Sequence, residues 1–351
     1  MFESLGFETL GPREVSVIFG LLVGLAFGAL AEATRFCLRR DLVGPEGERR
    51  AALGVWLMAL AVAVAGTQGA AALGWIEFGD HRFMATDLPI LSILVGGLLF
   101  GAGMVLTRGC ASRLTVLAGT GNLRALTVLV VFAIVAHATI KGILSPLREA
   151  LGAYTITLGD GVSLAALPGG AAVWSALIVA VTAGYALRSR NEGAPLLGGA
   201  LIGALVPIAW IGTGLVLFDE FDPIAFESLS FTAPASETLF WTIAASSIPA
   251  GFGTGLIGGV LAGAAALSLL AGRFRWHSFV SPRETGRYMA GALLMGVGGV
   301  LAGGCTLGAG LAGVPTLSVA TILALAAMAA GALATNAALN LRAAPRLQPA
   351  E

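Results

Sequence analysis

Gly96 to Gly119 reads G-G-L-L-F-G-A-G-M-V-L-T-R-G-C-A-S-R-L-T-V-L-A-G, and Gly291 to Gly313 reads G-A-L-L-M-G-V-G-G-V-L-A-G-G-C-T-L-G-A-G-L-A-G. With Cys110 laid on Cys305, 195 positions later, the pairs Gly96/Gly291, Leu98/Leu293, Leu99/Leu294, Gly101/Gly296, Gly103/Gly298, Val105/Val300, Leu106/Leu301 and Gly109/Gly304 are identical. One residue of slippage then brings Gly119 onto Gly313. In each copy a glycine-rich apolar run leads into Gly-Cys, and a second, shorter apolar segment follows. Two of the chain's three cysteines occupy these equivalent places.

Around this repeat the chain is 57% hydrophobic and only 11% charged over 351 residues. A soluble domain could not hide that much apolar surface, so the expected class is an all-α polytopic membrane protein. A formal net charge of zero gives no sign of nucleic-acid binding, and Lys141 is the only lysine. Glu3, Glu8 and Glu14, followed by an apolar run long enough to span, do not fit a cleavable signal. The three cysteines lie far apart and none is in C-x-x-C spacing, which fits neither a disulfide framework nor a zinc site.

Nine apolar stretches read as membrane helices: Val15–Ala33, Ala51–Leu73, Leu88–Thr107, Leu123–Ile140, Gly170–Leu187, Leu196–Phe218, Leu239–Ala271, Tyr288–Gly303 and Thr316–Asn340. The seventh is too long for one straight span and contains Pro249, which points to a re-entrant piece followed by a helix. Arginines fall in alternate loops. They are Arg35, Arg39, Arg40, Arg49 and Arg50, then Arg108, Arg113 and Arg124, then Arg188 and Arg190, then Arg273, Arg275, Arg283 and Arg287, and at the end Arg342 and Arg346. The intervening loops carry Glu77, Asp80 and Asp87, and Asp219, Glu220, Asp222, Glu227 and Glu237. By the positive-inside rule the N-terminus is periplasmic and the C-terminus cytoplasmic in an inner (plasma) membrane.

Residues 1–165 and 194–351 then form two four-span repeats, joined by a connecting helix in 166–193. A single connector makes the second repeat enter from the opposite side, which is an inverted-topology repeat. It places Cys110 toward the cytoplasmic side and Cys305 toward the periplasmic side. The first helices of the repeats agree more weakly: Gly24, Gly28 and Ala29 match Gly199, Gly203 and Ala204, which puts Cys37 opposite Gly212. The third cysteine breaks the symmetry, as suits a site with direction.

The runs flanking Cys110 and Cys305 are too short to need to cross the bilayer alone. They read as half-helix hairpins dipping toward the midplane, with Gly109-Cys110 and Gly304-Cys305 at the tips, tolerated only where they line a cavity or lie buried in protein. Gly97, Gly101 and Gly298 let neighbouring backbones approach closely. Each cysteine would open the short helix that follows, beginning with Ala111 or Thr306, where free N–H groups and the dipole favour an anion. Arg108, Arg113 and Arg35 add positive potential on the cytoplasmic side. A thiol is a weak donor and polarisable, which suits a sulfur-bearing anion better than a hard cation.

The T-R-G-C-A-S-R-L segment, its partner A-G-G-C-T-L-G-A-G-L-A-G and the upstream A-T-R-F-C-L resemble the YeeE/YedE family of sulfur-transport proteins, over nearly the whole chain. The resemblance implies an hourglass-shaped thiosulfate importer without cofactors. In that family three cysteines at a constriction, matching Cys37, Cys110 and Cys305, hand the anion inward through S–H···S contacts. A small cytoplasmic sulfur-carrier protein often works alongside. Ser112 and Arg113 depart from the usual glycine-rich continuation.

Plainer roles stand beside these. A lone cysteine in a membrane helix is usually a small apolar residue. Glu32 and Arg35 are spaced for an i, i+3 ion pair. His137 fits a hydrogen-bonded core histidine as well as a proton carrier, and Gln68, Asn336 and Asn340 fit bonds between helices. Arg39, Arg40, Arg49 and Arg50 read as topology determinants, and Asp219–Glu237 as a solvated outer loop. Two functional rivals remain: a membrane thiol–disulfide or sulfurtransferase enzyme using the cysteines covalently, and a transporter of another soft solute such as a selenium compound, sulfite or Cu(I).

Overall fold

The computed structural model describes residues 10–343, apart from the side chains of Asp160, Arg342 and Ala343. Glu3, Glu8 and Arg346 lie outside the described residues. In chain order the helices are α1 (Pro12–Thr34), α2 (Leu38–Val43), α3 (Glu46–Ala72), α4 (Ile90–Leu106), α5 (Ala111–Gly119), α6 (Leu123–Lys141) and α7 (Ser145–Gly152). There follow α8 (Gly170–Leu187), α9 (Gly193–Ile211), α10 (Thr232–Ala244), α11 (Phe252–Leu270), α12 (Pro282–Leu301) and α13 (Val319–Ala343). The only sheet among the described residues is a two-residue ribbon, β1 (Asp87–Leu88) antiparallel to β2 (Ile156–Thr157). Nine helical stretches among the described residues are long and apolar enough to cross a membrane. The protein is an all-α polytopic membrane protein.

The stretch Leu239–Ala271 resolves into α10 and α11, separated at residues 245–251. Pro249 within that gap cannot supply a helical N–H. The helical part also begins earlier than the apolar pattern shows. Thr232, Pro234, Ala235 and Ser236, in the segment expected to be a solvated loop, are the buried start of α10. The tertiary contacts of that one turn outweigh its polar surroundings in the chain.

In a bilayer there is no hydrophobic drive between helices, so close packing has to hold them together. Glycines supply it here. Parallel helices α1 and α11 interlock: a Cβ at Gly20, Gly24 or Gly28 would strike the carbonyls of Phe252, Leu256 or Val260. The reverse holds for Gly255, Gly259 and Gly263 against Val17, Leu21 and Leu25. On the other side of the bundle, Gly199 and Gly203 of α9 meet the carbonyls of Val55 and Ala59 of α3 in the same way. Antiparallel helices α4 and α12 exchange equivalent contacts. Gly96 packs on Leu301 and Ala302, while Gly291 packs on Leu106 and Thr107; Gly103 meets Gly291 and Met295, while Gly298 meets Gly96 and Phe100. Of the identical pairs of the sequence repeat, Gly96/Gly291 and Gly103/Gly298 lie where the two helices touch. Gly97 and Gly101 bring α4 against Ala327 and Met328 of α13, and Gly296 brings α12 against Phe132 and Val135 of α6.

The arginine-bearing loops meet one another at one end of the bundle. Leu123 N–H donates to His277 O at 2.8 Å, Arg124 pairs with Glu284 at 2.9 Å, and Arg50 donates to Arg188 O at 2.9 Å. At the other end Leu158 N–H reaches Thr86 O at 3.0 Å and Ser318 reaches Phe83 O at 2.6 Å. Glu32 takes different partners from those its spacing predicts. It lies 3.5 Å from Arg113 and 3.8 Å from Arg273, whereas Arg35 adopts left-handed backbone (φ 54°) at the C-cap of α1, which ends the helical register. His137 is a bonded histidine, 3.0 Å from Ser236 Oγ and stacked 3.8 Å from the Phe240 ring. Gln68 does bond between elements, to Pro315 O at 2.6 Å. Asn336 and Asn340, partly exposed, make no side-chain hydrogen bond among the described residues.

Candidate functional site: buried thiols at the heads of short helices

All three cysteines stand at helix starts. Cys37 N-caps α2, Cys110 N-caps α5, and Cys305 N-caps the short wide helix Thr306–Gly313. Both Gly-Cys tips are reached by the same turn. Arg108 (φ 60°) and Gly303 (φ 76°), equivalent in the repeat, are both left-handed, which swings the chain out of the long helix before the next begins. Gly109 then lies tight on Leu114, and a Cβ at Gly304 would be 2.9 Å from Ala309 N. Only glycine fits the second position without moving backbone.

Bulk water reaches none of the thiols: Cys37, Cys110 and Cys305 are 6%, 1% and 0% exposed. Cys110 Sγ lies 3.3 Å from Ser112 Oγ, and its other neighbours are the Cys37 thiol and the Thr306 hydroxyl. Thr306 follows Cys305 directly, so it links the two groups of thiols. Its Oγ1 is buried without a hydrogen-bond partner among the described residues. Cys305 Sγ accepts from Gly308 N–H at 3.4 Å, and the Phe231 amide faces it. Phe231 N-caps α10. Phe231 and Cys37 thus both cap a helix beside one of the repeat's cysteines, Phe231 through its amide and Cys37 through its thiol. Gly212, which the helix alignment pairs with Cys37, opens a wide turn, Gly212–Val216, and abuts Phe19.

Of the sequence-marked residues, Cys37, Cys110, Cys305, Thr306 and Ala111 come together, with Gly109 and Gly304 shaping the turns. Arg108 is exposed beside its turn. Arg113 is occupied structurally, donating to Ala31 O at 3.2 Å as well as pairing with Glu32. The sequence reading missed the acidic end, where a cavity of about 520 Å³ descends from Glu77 and Asp80 to Gly308 and Ala312. His81, Phe78, Phe226 and Trp210 cluster there, with the His81 and Trp210 rings 5.2 Å apart, and Trp210 Nε1 donates to Ala312 O at 3.3 Å. Burial, then the Arg82 charge, pushes His81 down to about 4. Burial, reinforced by Glu237 and opposed by Arg82, pushes Glu227 up to about 8. Of the missed groups only Pro234, suited to a first helical turn, gave a local signal.

Buried thiols inside a bundle of membrane-crossing helices, with a cavity reaching Gly303 and Gly304 beside Cys305, fit the class of membrane transport proteins. The chain belongs to the sulphur transport family, whose model matches residues 34–334. It is similar to a thiosulfate transporter TsuA of Spirochaeta thermophila, 26% identical over 342 residues, covering 87% of this chain and 93% of the relative. A thiosulfate transporter TsuA of Escherichia coli is 24% identical over 327 residues, covering 84% of this chain and 86% of that protein.

Proposed function

We propose that this chain carries thiosulfate, or a closely related sulfur anion, inward across the inner membrane, without covalent attachment, past Cys305 and then Cys110 and Cys37. The family and the two relatives support the substrate class. The observation that carries the route is the run of buried neighbours Cys305–Thr306–Cys110–Cys37. Neutral thiols donate weakly to a soft sulfur terminus, whereas thiolates would repel an anion, so a relay of S–H groups can hold and release it. The heads of α5 and of Thr306–Gly313 add amide dipoles facing that line. The chain acts as a carrier and not as an enzyme.

The orientation, with N-terminus periplasmic and C-terminus cytoplasmic, is supported by the gathering of arginine loops at one end. The division into repeats 1–165 and 194–351 around a connector in 166–193 is supported by the reciprocal glycine contacts of α4 with α12 and by α1–α11 echoing α9–α3. The exposed arginines of the basic end suit an acidic cytoplasmic sulfur-carrier protein.

The test is growth of a thiosulfate-dependent strain lacking its own importers, carrying wild type or Cys37→Ala, Cys110→Ala or Cys305→Ala. Rescue by wild type and loss with each alanine, at equal membrane expression, is expected. Rescue by all four would sink the thiol relay, and no rescue by wild type would sink the substrate. The adjacency of Cys37 and Cys110 favours one rival, a redox pair. Under it a Cys37–Cys110 disulfide or a persulfide accumulates during turnover; under the relay, thiol trapping and mass spectrometry find all three cysteines reduced.

A further inference from the structure

Cys305 itself is sealed. The open space adjoining it is a cavity of about 240 Å³ at the acidic end, walled by Gly303 and Gly304 together with Arg82, Arg148, Thr232 and Glu237. Three features of that wall call for a ligand. Arg82 makes no ion pair or side-chain hydrogen bond among the described residues. Its guanidinium carbon sits 5.1 Å from the Phe83 ring centroid, which steadies the group without using its donors. It also lines the neighbouring cavities of about 520 and 610 Å³, and so stands where all three meet. Arg148 pairs only with its neighbour Glu149, at 3.2 Å and largely in solvent, an interaction that competes weakly. Thr232 is 4% exposed, yet its Oγ1 has no partner among the described residues. A buried hydroxyl left unpaired is costly and rare unless something else satisfies it.

We propose that this cavity is a docking subsite for a small tetrahedral oxyanion dianion, held by Arg82 and Arg148 and hydrogen-bonded by Thr232, immediately before the Cys305 step. Its place in the route rests on the transport reading above. The guanidinium fork matches pairs of oxyanion oxygens. The cavity of about 240 Å³ has room for one such ion with its waters. Glu237 in the same wall offsets one of the two positive charges, which lets the ion move on rather than stay trapped. Thiosulfate would be held there by its oxygens, leaving its terminal sulfur free for the thiol below.

The experiment uses the full chain in proteoliposomes for thiosulfate uptake, and the purified protein for calorimetric titration with thiosulfate, sulfate and phosphate at constant ionic strength. Arg82→Gln and Thr232→Val are expected to raise KM and the oxyanion Kd by about tenfold or more, as for lost bonds to a charged group. Saturating substrate recovers most of the rate, Arg82→Lys is intermediate, and Arg188→Gln at the opposite end serves as the charge control. If wild type transports thiosulfate and both variants keep KM and Kd within twofold, the docking site is wrong and the transport reading stands. If wild type does not transport thiosulfate but binds an oxyanion in an Arg82-dependent way, the site stands and the substrate falls. If wild type neither transports nor binds, both fall. Competition by nitrate, a planar monoanion, as strong as by thiosulfate would overturn the tetrahedral-dianion assignment in favour of a general anion site.

Discussion

Arg108 and Gly303 hold the same left-handed turn in the two copies of the repeat, yet only glycine does so without cost. A left-handed arginine carries strain of about 1–2 kcal/mol, and we infer that its exposed side chain serves uptake. Arg108→Gly is therefore expected to keep or raise thermal stability while lowering uptake; a stable variant with wild-type uptake would leave the arginine without a functional role. Glu227 gives a pH prediction. With its carboxyl raised to about 8 by burial and by Glu237, it is neutral at pH 7, and the Arg82 charge is unopposed by it. As external pH rises through about 8, Glu227 ionises, offsets Arg82 and repels the dianion. His81, already neutral above about 4, contributes no counter-change, and Glu77, Asp80 and Glu237 share the vestibule wall with it. Uptake should fall above that pH in wild type and flatten in Glu227→Gln; equal pH profiles would remove Glu227 from the mechanism. Cys110 and Cys305 stood out because the repeat marks them, and Cys37 through the family resemblance. Arg82 and Thr232 did not, since nothing local sets an arginine in a short loop, or a threonine near a proline, apart from any other.

At the scale of elements, the helices were readable wherever apolar length and arginine alternation agreed. α10 was not, because its buried first turn lies among acidic residues. Helix contacts, by contrast, sit at glycines that the sequence displays. Gly255→Val would drive a side chain into the Val17 carbonyl, whereas Gly258 on the same helix has nothing within 4 Å of an added Cβ. Gly258→Ala should be neutral or stabilising by up to about 1 kcal/mol, since alanine is the better helix former. Gly255→Val should abolish the folded protein, read as loss of a monodisperse peak in detergent. Equal yields of the two variants would mean that α1 and α11 do not depend on close approach.

For the whole molecule, reporter fusions or impermeant labels placed after residues 44, 80, 190 and 220 test the topology. Cytoplasmic signals at the first and third and periplasmic signals at the second and fourth are expected; the opposite pattern would invert the direction assigned to the route. The sequence by itself determined the class, the number of membrane-crossing helices, the repeat and the cysteines, because hydropathy, charge alternation and glycine spacing are properties of the chain read in order. The tertiary structure alone decided which groups meet. Phe231 faces Cys305, Thr306 reaches Cys110, which lies beside Cys37, Glu32 turns to Arg113 and Arg273, and Arg82 joins Thr232 beside Gly303. Those meetings are fixed by how distant helices interlock at their glycines, a matter of packing across the bundle that no local stretch encodes.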